Sequence, residues 1–396
     1  MEFQQSDVLK QLPKQFFASL VQKVQKKVQE GADIINLGQG NPDQPTPPHI
    51  VKAMQKAVAK PENHQYSSFR GTAKLKKAAA AFYEREYGVT LDPKTEIAIL
   101  FGGKAGLVEL PQCLLNPGDT LLVPDPGYPD YWSGAVLAGA HMVTMPLLEK
   151  NDFLPDYDLL PEDDKKKAKL MYLNYPNNPT GATASRSFFE ETVTFAKDHK
   201  LCVVHDFAYG GIGFDGEKPL SFLQIEGAKE TGIEIYTLSK TYNMAGWRVG
   251  FAAGNSSVIE AIELYQDHLF VSLFKATQDA AAEALLSDQT CVQVQNDRYE
   301  KRRNVWIAAC KEIGWEVSVP KGSFFAWLKV PEGYTSEAFS DLLLEKAHVV
   351  VAPGNGFGTH GEGYVRVGLL TSEERLQEAA QRIAALNLFE KKPLTT

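Results

Sequence analysis

What most limits the fold of this chain is a rhythm. Seven short apolar runs, at 97–101, 120–123, 142–145, 170–173, 201–205, 233–238 and 249–252, are separated mostly by helical patterns or turns. Short runs of this kind have both faces to cover, and strands covered on both faces belong to parallel sheets with helices above and below. The chain is therefore predicted to be an α/β protein with a mostly parallel seven-stranded sheet flanked by helices. A long helix, or two, is expected over 256–287, with a break around 269–274. After residue 287 the pattern changes. A helical stretch at 292–313 leads to strand-like runs at 315–319, 323–330, 349–352 and 364–369, with helices at 335–346 and 373–386. That mixture predicts a smaller α+β domain. The expected division is an N-terminal segment over 1–46 that joins the small domain, a large domain over 47–287, and the small domain over 288–396.

Sheets of this type collect ligands beyond the carboxyl ends of their strands. The unusual residues of the chain stand there. The run 233–238 delivers Lys240, with Thr237 and Ser239 before it and Arg248 after it. A lysine at a strand end is most often a solvated side chain. In a shielded site, however, its amine can form a Schiff base with a carbonyl. The two hydroxyls and the guanidinium could hold a phosphate nearby. The run 97–101 opens into Gly102-Gly103-Lys104-Ala105-Gly106 at a helix start. That is a backbone seat for an anion, though neither a Walker loop nor a dinucleotide loop.

Tyr128 follows the run 120–123 in a proline-rich turn, and Asn178 follows the run 170–173 in another. Asp206 closes the apolar run 201–205 and needs a cationic or N–H partner to stay charged. Tyr209 lies three residues on. Arg366, inside the apolar run 364–369, wants a carboxylate or a phosphate, with a structural salt bridge as the plain alternative. Nearer the start come an amphipathic segment at 12–28 with Phe16 and Phe17, a glycine turn with Gly38 and Gly40, and a polar aromatic loop with Tyr66. Each feature is weak alone. Together they offer an amine for an aldehyde, an acid for a protonated ring nitrogen, partners for a phenolic oxygen, a stacking ring, a cradle for one phosphate and a second arginine. That set describes a pyridoxal 5′-phosphate site.

Composition narrows the alternatives. A net charge of −8 over 396 residues argues against nucleic-acid binding and a basic membrane-surface patch. No apolar run reaches membrane-spanning length and no secretory signal is read. Cys113, Cys202, Cys291 and Cys310 are widely spaced, which fits reduced thiols in a cytoplasm and no metal site.

The motifs Asn178-Pro179-Thr180-Gly181, Asp206-Phe207-Ala208-Tyr209, Ser239-Lys240 with Ala245-Gly246-Trp247-Arg248-Val249-Gly250, and Tyr364-Val365-Arg366 stand in that order. On them the chain resembles the fold-type I pyridoxal-phosphate aminotransferases of class I/II, over about 12–389. The resemblance implies that Lys240 carries the cofactor and moves the substrate proton, and that Asp206 pairs with the ring nitrogen. It also implies that Asn178 and Tyr209 bond the ring's phenolic oxygen and that Tyr128 stacks on the ring. Gly103, Lys104, Thr237, Ser239 and Arg248 would seat the phosphate. Tyr66 would reach the phosphate of a neighbouring subunit, so a homodimer is implied. Arg366 would grip the substrate carboxylate beside Gly40. Two departures stand out. The phosphate loop reads Gly-Gly-Lys, where aspartate aminotransferases have Ser-Gly-Thr, and Tyr128 replaces a tryptophan.

For the substrate, the stretch 267–275 is largely apolar and aromatic, with Lys275 the one lysine in it, and Phe16 and Phe17 would extend an apolar wall. A dicarboxylate would bury a charge against it, so a neutral side chain such as a thioether is expected. Within the family, the sequence closely resembles the methionine-salvage aminotransferases of bacilli, which transaminate 4-methylthio-2-oxobutanoate with a donor such as glutamine. Aspartate, alanine and LL-diaminopimelate aminotransferases share the frame and form the alternative. A carbon–sulfur β-lyase uses the same lysine. A regulator on this fold would carry a DNA-binding domain, for which the first dozen residues are expected to leave no room.

Overall fold

The computed structural model describes residues 1–13, 16–270 and 272–389, with Phe16, Phe17 and Ser19 described by their backbone alone. After a helix over Phe16–Gln29, the chain enters its first strand, β1 (Ile35–Asn36). Seven strands follow: β2 (Ile97–Leu100), β3 (Thr120–Asp125), β4 (His141–Pro146), β5 (Ala168–Leu173), β6 (Cys202–Asp206), β7 (Gly232–Thr237) and β8 (Gly250–Gly254). They form one sheet in the order β2-β8-β7-β6-β5-β3-β4. The run from β4 to β7 is parallel, while β8 is antiparallel to both β2 and β7.

The continuous apolar runs are explained by two cores, one on each face. Side chains alternate across a strand. Accordingly Ala98, Leu100, Leu121, Val123, Tyr172 and Ile235 join one core, and Ile97, Ile99, Leu122, Met171, Leu173 and Tyr236 join the other. The predicted break in the long helical stretch is present, between Ser256–Leu269 and Lys275–Leu286.

Beyond the helix Thr290–Glu312 come β9 (Phe325–Lys329), β10 (Val349–Val350), β11 (Ala352–Pro353) and β12 (Tyr364–Gly368). β11, β12 and β9 make an antiparallel sheet, and β10 pairs in parallel with β1. Ile35 and Leu37 thereby join a third core with Trp306, Trp315, Val349 and Val367. Among the described residues, no helix is long and apolar enough to cross a membrane.

Three runs differ from their sequence reading. The run 315–319 is not a strand, because only Val317 bridges to β9, at Leu328. Trp315 is buried there and donates its indole N–H to Lys329 O at 2.7 Å, while Val319 is half exposed and Pro320 follows. The run 349–352 serves two sheets, Val350 facing β1 and Ala352 facing β12. The run 233–238 stops being a strand at Thr237, and Leu238–Thr241 form a single helical turn.

Candidate active site

That helical turn is where the site begins. The Thr237 hydroxyl caps it, accepting from the Ser239 N–H at 3.3 Å and donating to Ser239 Oγ at 3.0 Å. The turn places Lys240 on the wall of a cavity of about 720 Å³. Its Nζ donates to the backbone oxygen of Gly40 at 2.7 Å. Burial, with the charges of Arg366 and Arg248 added, lowers the Lys240 ammonium from 10.5 to about 8, against the opposing pull of Asp206. An amine so placed reaches its neutral, nucleophilic form within the physiological range. The rate at which the empty protein takes up pyridoxal phosphate should therefore rise about tenfold per pH unit below pH 7 and level off above about 8. Stopped-flow absorbance measures this; a rate indifferent to pH between 6 and 8 would contradict it.

Asp206 is the last residue of β6 and is buried. Its Oδ2 accepts from the Tyr131 hydroxyl at 2.8 Å. Burial still raises its carboxyl from 3.8 to about 6, outweighing that bond and the Ala208 N–H. A buried acid with neutral donors is suited to one more partner that carries positive charge. A protonated ring nitrogen meets that need, which is the first test of fit for pyridoxal phosphate.

The second test is the anion seat. The helix Gly103–Leu114 starts immediately after Gly102, whose φ is +85°. A Cβ on Gly102 would stand 2.5 Å from Arg248 Nη2, so only glycine lets the guanidinium lie over this turn. Arg248 donates to Ala245 O at 3.0 Å and to Phe101 O at 3.5 Å, which holds it beside the helix N-terminus. First-turn N–H groups, two hydroxyls and a guanidinium thus border one cavity, a donor set that suits a phosphate. Lys104 lines the cavity too, but its Nζ is paired with Asp130 Oδ1 at 2.9 Å.

Arg366, on β12, is buried between the rings of Phe325 and Phe357, its guanidinium carbon 4.0 and 4.8 Å from their centroids. Burial lowers it from 12.5 to about 10. It donates to Asn178 Oδ1 and to Gly38 O, both at 2.9 Å. Asn178 is itself held by its N–H, which donates to Asn174 Oδ1 at 2.8 Å. Tyr128 borders the cavity edge-on to Tyr131 at 5.7 Å, and burial pushes its hydroxyl and that of Tyr209 up.

Of the residues expected from sequence, Gly40, Gly103, Lys104, Tyr128, Asn178, Asp206, Tyr209, Thr237, Ser239, Lys240, Arg248 and Arg366 all line this cavity. Tyr66 is not brought to it; the side chain is 81% exposed on its own chain. The side chains of Phe16 and Phe17 lie outside the described residues. Sequence reasoning missed Tyr131 as the partner of Asp206, and among the cavity-lining residues it missed Asn174 as a positioning group, Phe325, and Leu20, Val21, Val24 and Gln25 of the Phe16–Gln29 helix. Asn174 could have been found as the amide that closes β5. It also donates to Asp206 O at 2.7 Å, tying two motif loops together.

Comparison with known proteins agrees with this geometry. The family model for class I and II aminotransferases matches residues 32–383. The chain is 75% identical over 394 residues to L-glutamine--4-(methylsulfanyl)-2-oxobutanoate aminotransferase of Bacillus subtilis strain 168, covering 100% of this chain and 99% of that protein. It is 46% identical to LL-diaminopimelate aminotransferase of Halothermothrix orenii, over 96% of this chain and 97% of that one. The substrate-bound structure of BacF from Bacillus subtilis superposes with a TM-score of 0.94 at 51% identity, covering 98% of this chain and 99% of that chain.

Proposed function

Since this chain belongs to the class I and II aminotransferases, enzymes that work with pyridoxal 5′-phosphate, we propose that it moves the amino group of an amino acid such as glutamine onto 4-(methylsulfanyl)-2-oxobutanoate to give methionine. The observation that carries this substrate reading is the 75% identity over the full chain. Bound, the cofactor supplies an electron sink for the carbanion left when the substrate α-proton departs.

The side chains divide the remaining work. Lys240 would hold the cofactor through its Nζ and, once freed by substrate, would carry the proton from the substrate Cα to the cofactor carbon C4′. Asp206 accepts a hydrogen bond from the ring nitrogen and keeps its proton in place. With Asn178 Oδ1 engaged by Arg366, its Nδ2 is left to donate to the ring's phenolic oxygen, beside the Tyr209 hydroxyl. Tyr128 covers one face of the ring. The Gly103 N–H, Thr237, Ser239 and Arg248 hold the phosphate. Arg366 takes the substrate carboxylate, next to the Gly40 backbone. Tyr66, exposed on its own chain, reaches the phosphate of a second copy in a homodimer. Exposed Phe69, Leu269 and Phe274 supply apolar surface for that contact. The division at 46/47 and 287/288 is supported by the β1–β10 pairing, which ties the N-terminal segment to the C-terminal unit. A cytoplasmic location accords with four free cysteines.

A panel of 2-oxo acids tests the substrate reading with purified holoenzyme. The expected order places 4-(methylsulfanyl)-2-oxobutanoate at least about tenfold above 2-oxoglutarate and oxaloacetate in kcat/KM, the margin that an unpaired buried charge gives. A preference for the dicarboxylates would move the chain to the aspartate or LL-diaminopimelate alternative. Release of pyruvate and thiol from cystathionine, without oxo-acid exchange, would make it a lyase.

A further inference from the structure

The helix Phe16–Gln29 is an unusual wall for a polar site. Leu20, Val21, Val24 and Gln25 line the same cavity as Lys240 and Arg366. At 100° per residue these four positions fall within a stripe of about 140° on one side of the helix. Lys23 and Lys27 lie on the adjoining stripe. They are paired with Asp341 at 2.7 Å and Glu345 at 2.6 Å, on the segment that precedes β10. Those pairs tie the adjoining stripe to that segment while the apolar stripe lines the cavity, and Val21 stays 50% exposed. The helix's own cations, Lys23, Lys26 and Lys27, all fall off the stripe.

With the substrate's amine at Lys240 and its carboxylate at Arg366, the side chain is left to meet this stripe. We propose that Leu20, Val21, Val24 and Gln25 form the side-chain subsite. It takes unbranched neutral chains ending in a thioether or a carboxamide, and it rejects a carboxylate of the same length. The chemistry follows from the lining. Methionine and glutamine share a two-carbon spacer that ends in an uncharged group. A thioether packs on Leu20 and Val24. A carboxamide can exchange paired hydrogen bonds with the Gln25 amide. Glutamate has the shape of glutamine but would leave a charge against aliphatic carbon. One subsite thus serves both halves of the exchange. This inference rests on the transaminase reading above.

The test follows single half-reactions of the holoenzyme by cofactor absorbance, with methionine, glutamine and glutamate as donors. In Val24→Arg the rate ratio of glutamate to methionine should rise at least about tenfold, and in Gln25→Leu the ratio of glutamine to methionine should fall about tenfold. Val21→Arg, on the same stripe but half exposed, repeats the first measurement should Val24→Arg lose its cofactor band. Ratios within about twofold of wild type in variants that keep the band would remove this helix from specificity while leaving the transaminase intact. Wild-type enzyme that favours glutamate would overturn the substrate reading and the exclusion together, before any variant is made.

Discussion

Replacing Lys240 by alanine should abolish turnover, by at least about four orders of magnitude, while the protein folds normally. The loss should be large because one amine is proposed both to hold the cofactor and to move the substrate proton, and positioned acid–base transfer alone contributes roughly 10²–10⁴-fold. The fold should survive because the turn Leu238–Thr241 is held from elsewhere. Thr237 caps it, and Gln295 Nε2 donates to the Lys240 backbone oxygen at 2.7 Å. The side chain itself is a burden on the empty protein, since burial disfavours its charged form. The melting temperature of Lys240→Ala should equal or exceed that of wild type. Turnover within tenfold of wild type would take the lysine out of the mechanism; a variant that fails to fold would show that its role is structural.

The second large effect belongs to Asp206→Asn. An amide cannot hold the proton on a ring nitrogen, and the ring then accepts electrons poorly. A loss in kcat of about three orders of magnitude is expected, about 4 kcal/mol of transition-state stabilisation. The same change should stabilise the cofactor-free protein at neutral pH. The folded carboxyl stands at about 6 and the unfolded one near 3.8. Well below 3.8 both states are protonated and the group costs nothing. Between about 3.8 and 6 the unfolded state has given up its proton while the folded state still holds one, so stability falls as pH rises, and the loss reaches about 3 kcal/mol by pH 7. Asparagine has no proton to lose and keeps an acceptor for Tyr131. Denaturant titration of both empty proteins at pH 4 and pH 7 checks the sign. A variant less stable than wild type at pH 7 would mean that Asp206 already has its charge satisfied without the cofactor.

Much of this site could be read from the chain because its residues sit at fixed offsets from buried strands. Asp206, Lys240 and the glycines after β2 follow apolar runs whose ends are visible in the sequence, and a parallel sheet brings those ends to one edge. Arg366 was legible for a different reason, as a charge inside an apolar run. Tyr131 was not, because its place on Asp206 depends on how the helix Asp130–Ala138 packs against the sheet, and no local pattern marks a tyrosine as a carboxylate's partner. Gly102 was legible as part of the glycine-rich helix start, but its need for a bare Cα was not, because that comes from Arg248, 146 positions away in the chain. Val24 and Gln25 looked like ordinary positions of an amphipathic helix. Which way that helix turns depends on tertiary contacts such as the pairs of Lys23 with Asp341 and Lys27 with Glu345, which no local pattern shows. The 315–319 run was misjudged because β propensity says nothing about where a partner strand ends.

Reduction of the purified holoenzyme with borohydride, followed by mass analysis of its peptides, tests the central assignment most directly. One stable pyridoxyl-phosphate adduct per chain, on the peptide that contains Lys240, is the predicted result. An adduct on another lysine, or a protein that takes up the cofactor yet yields no adduct at all, would contradict it.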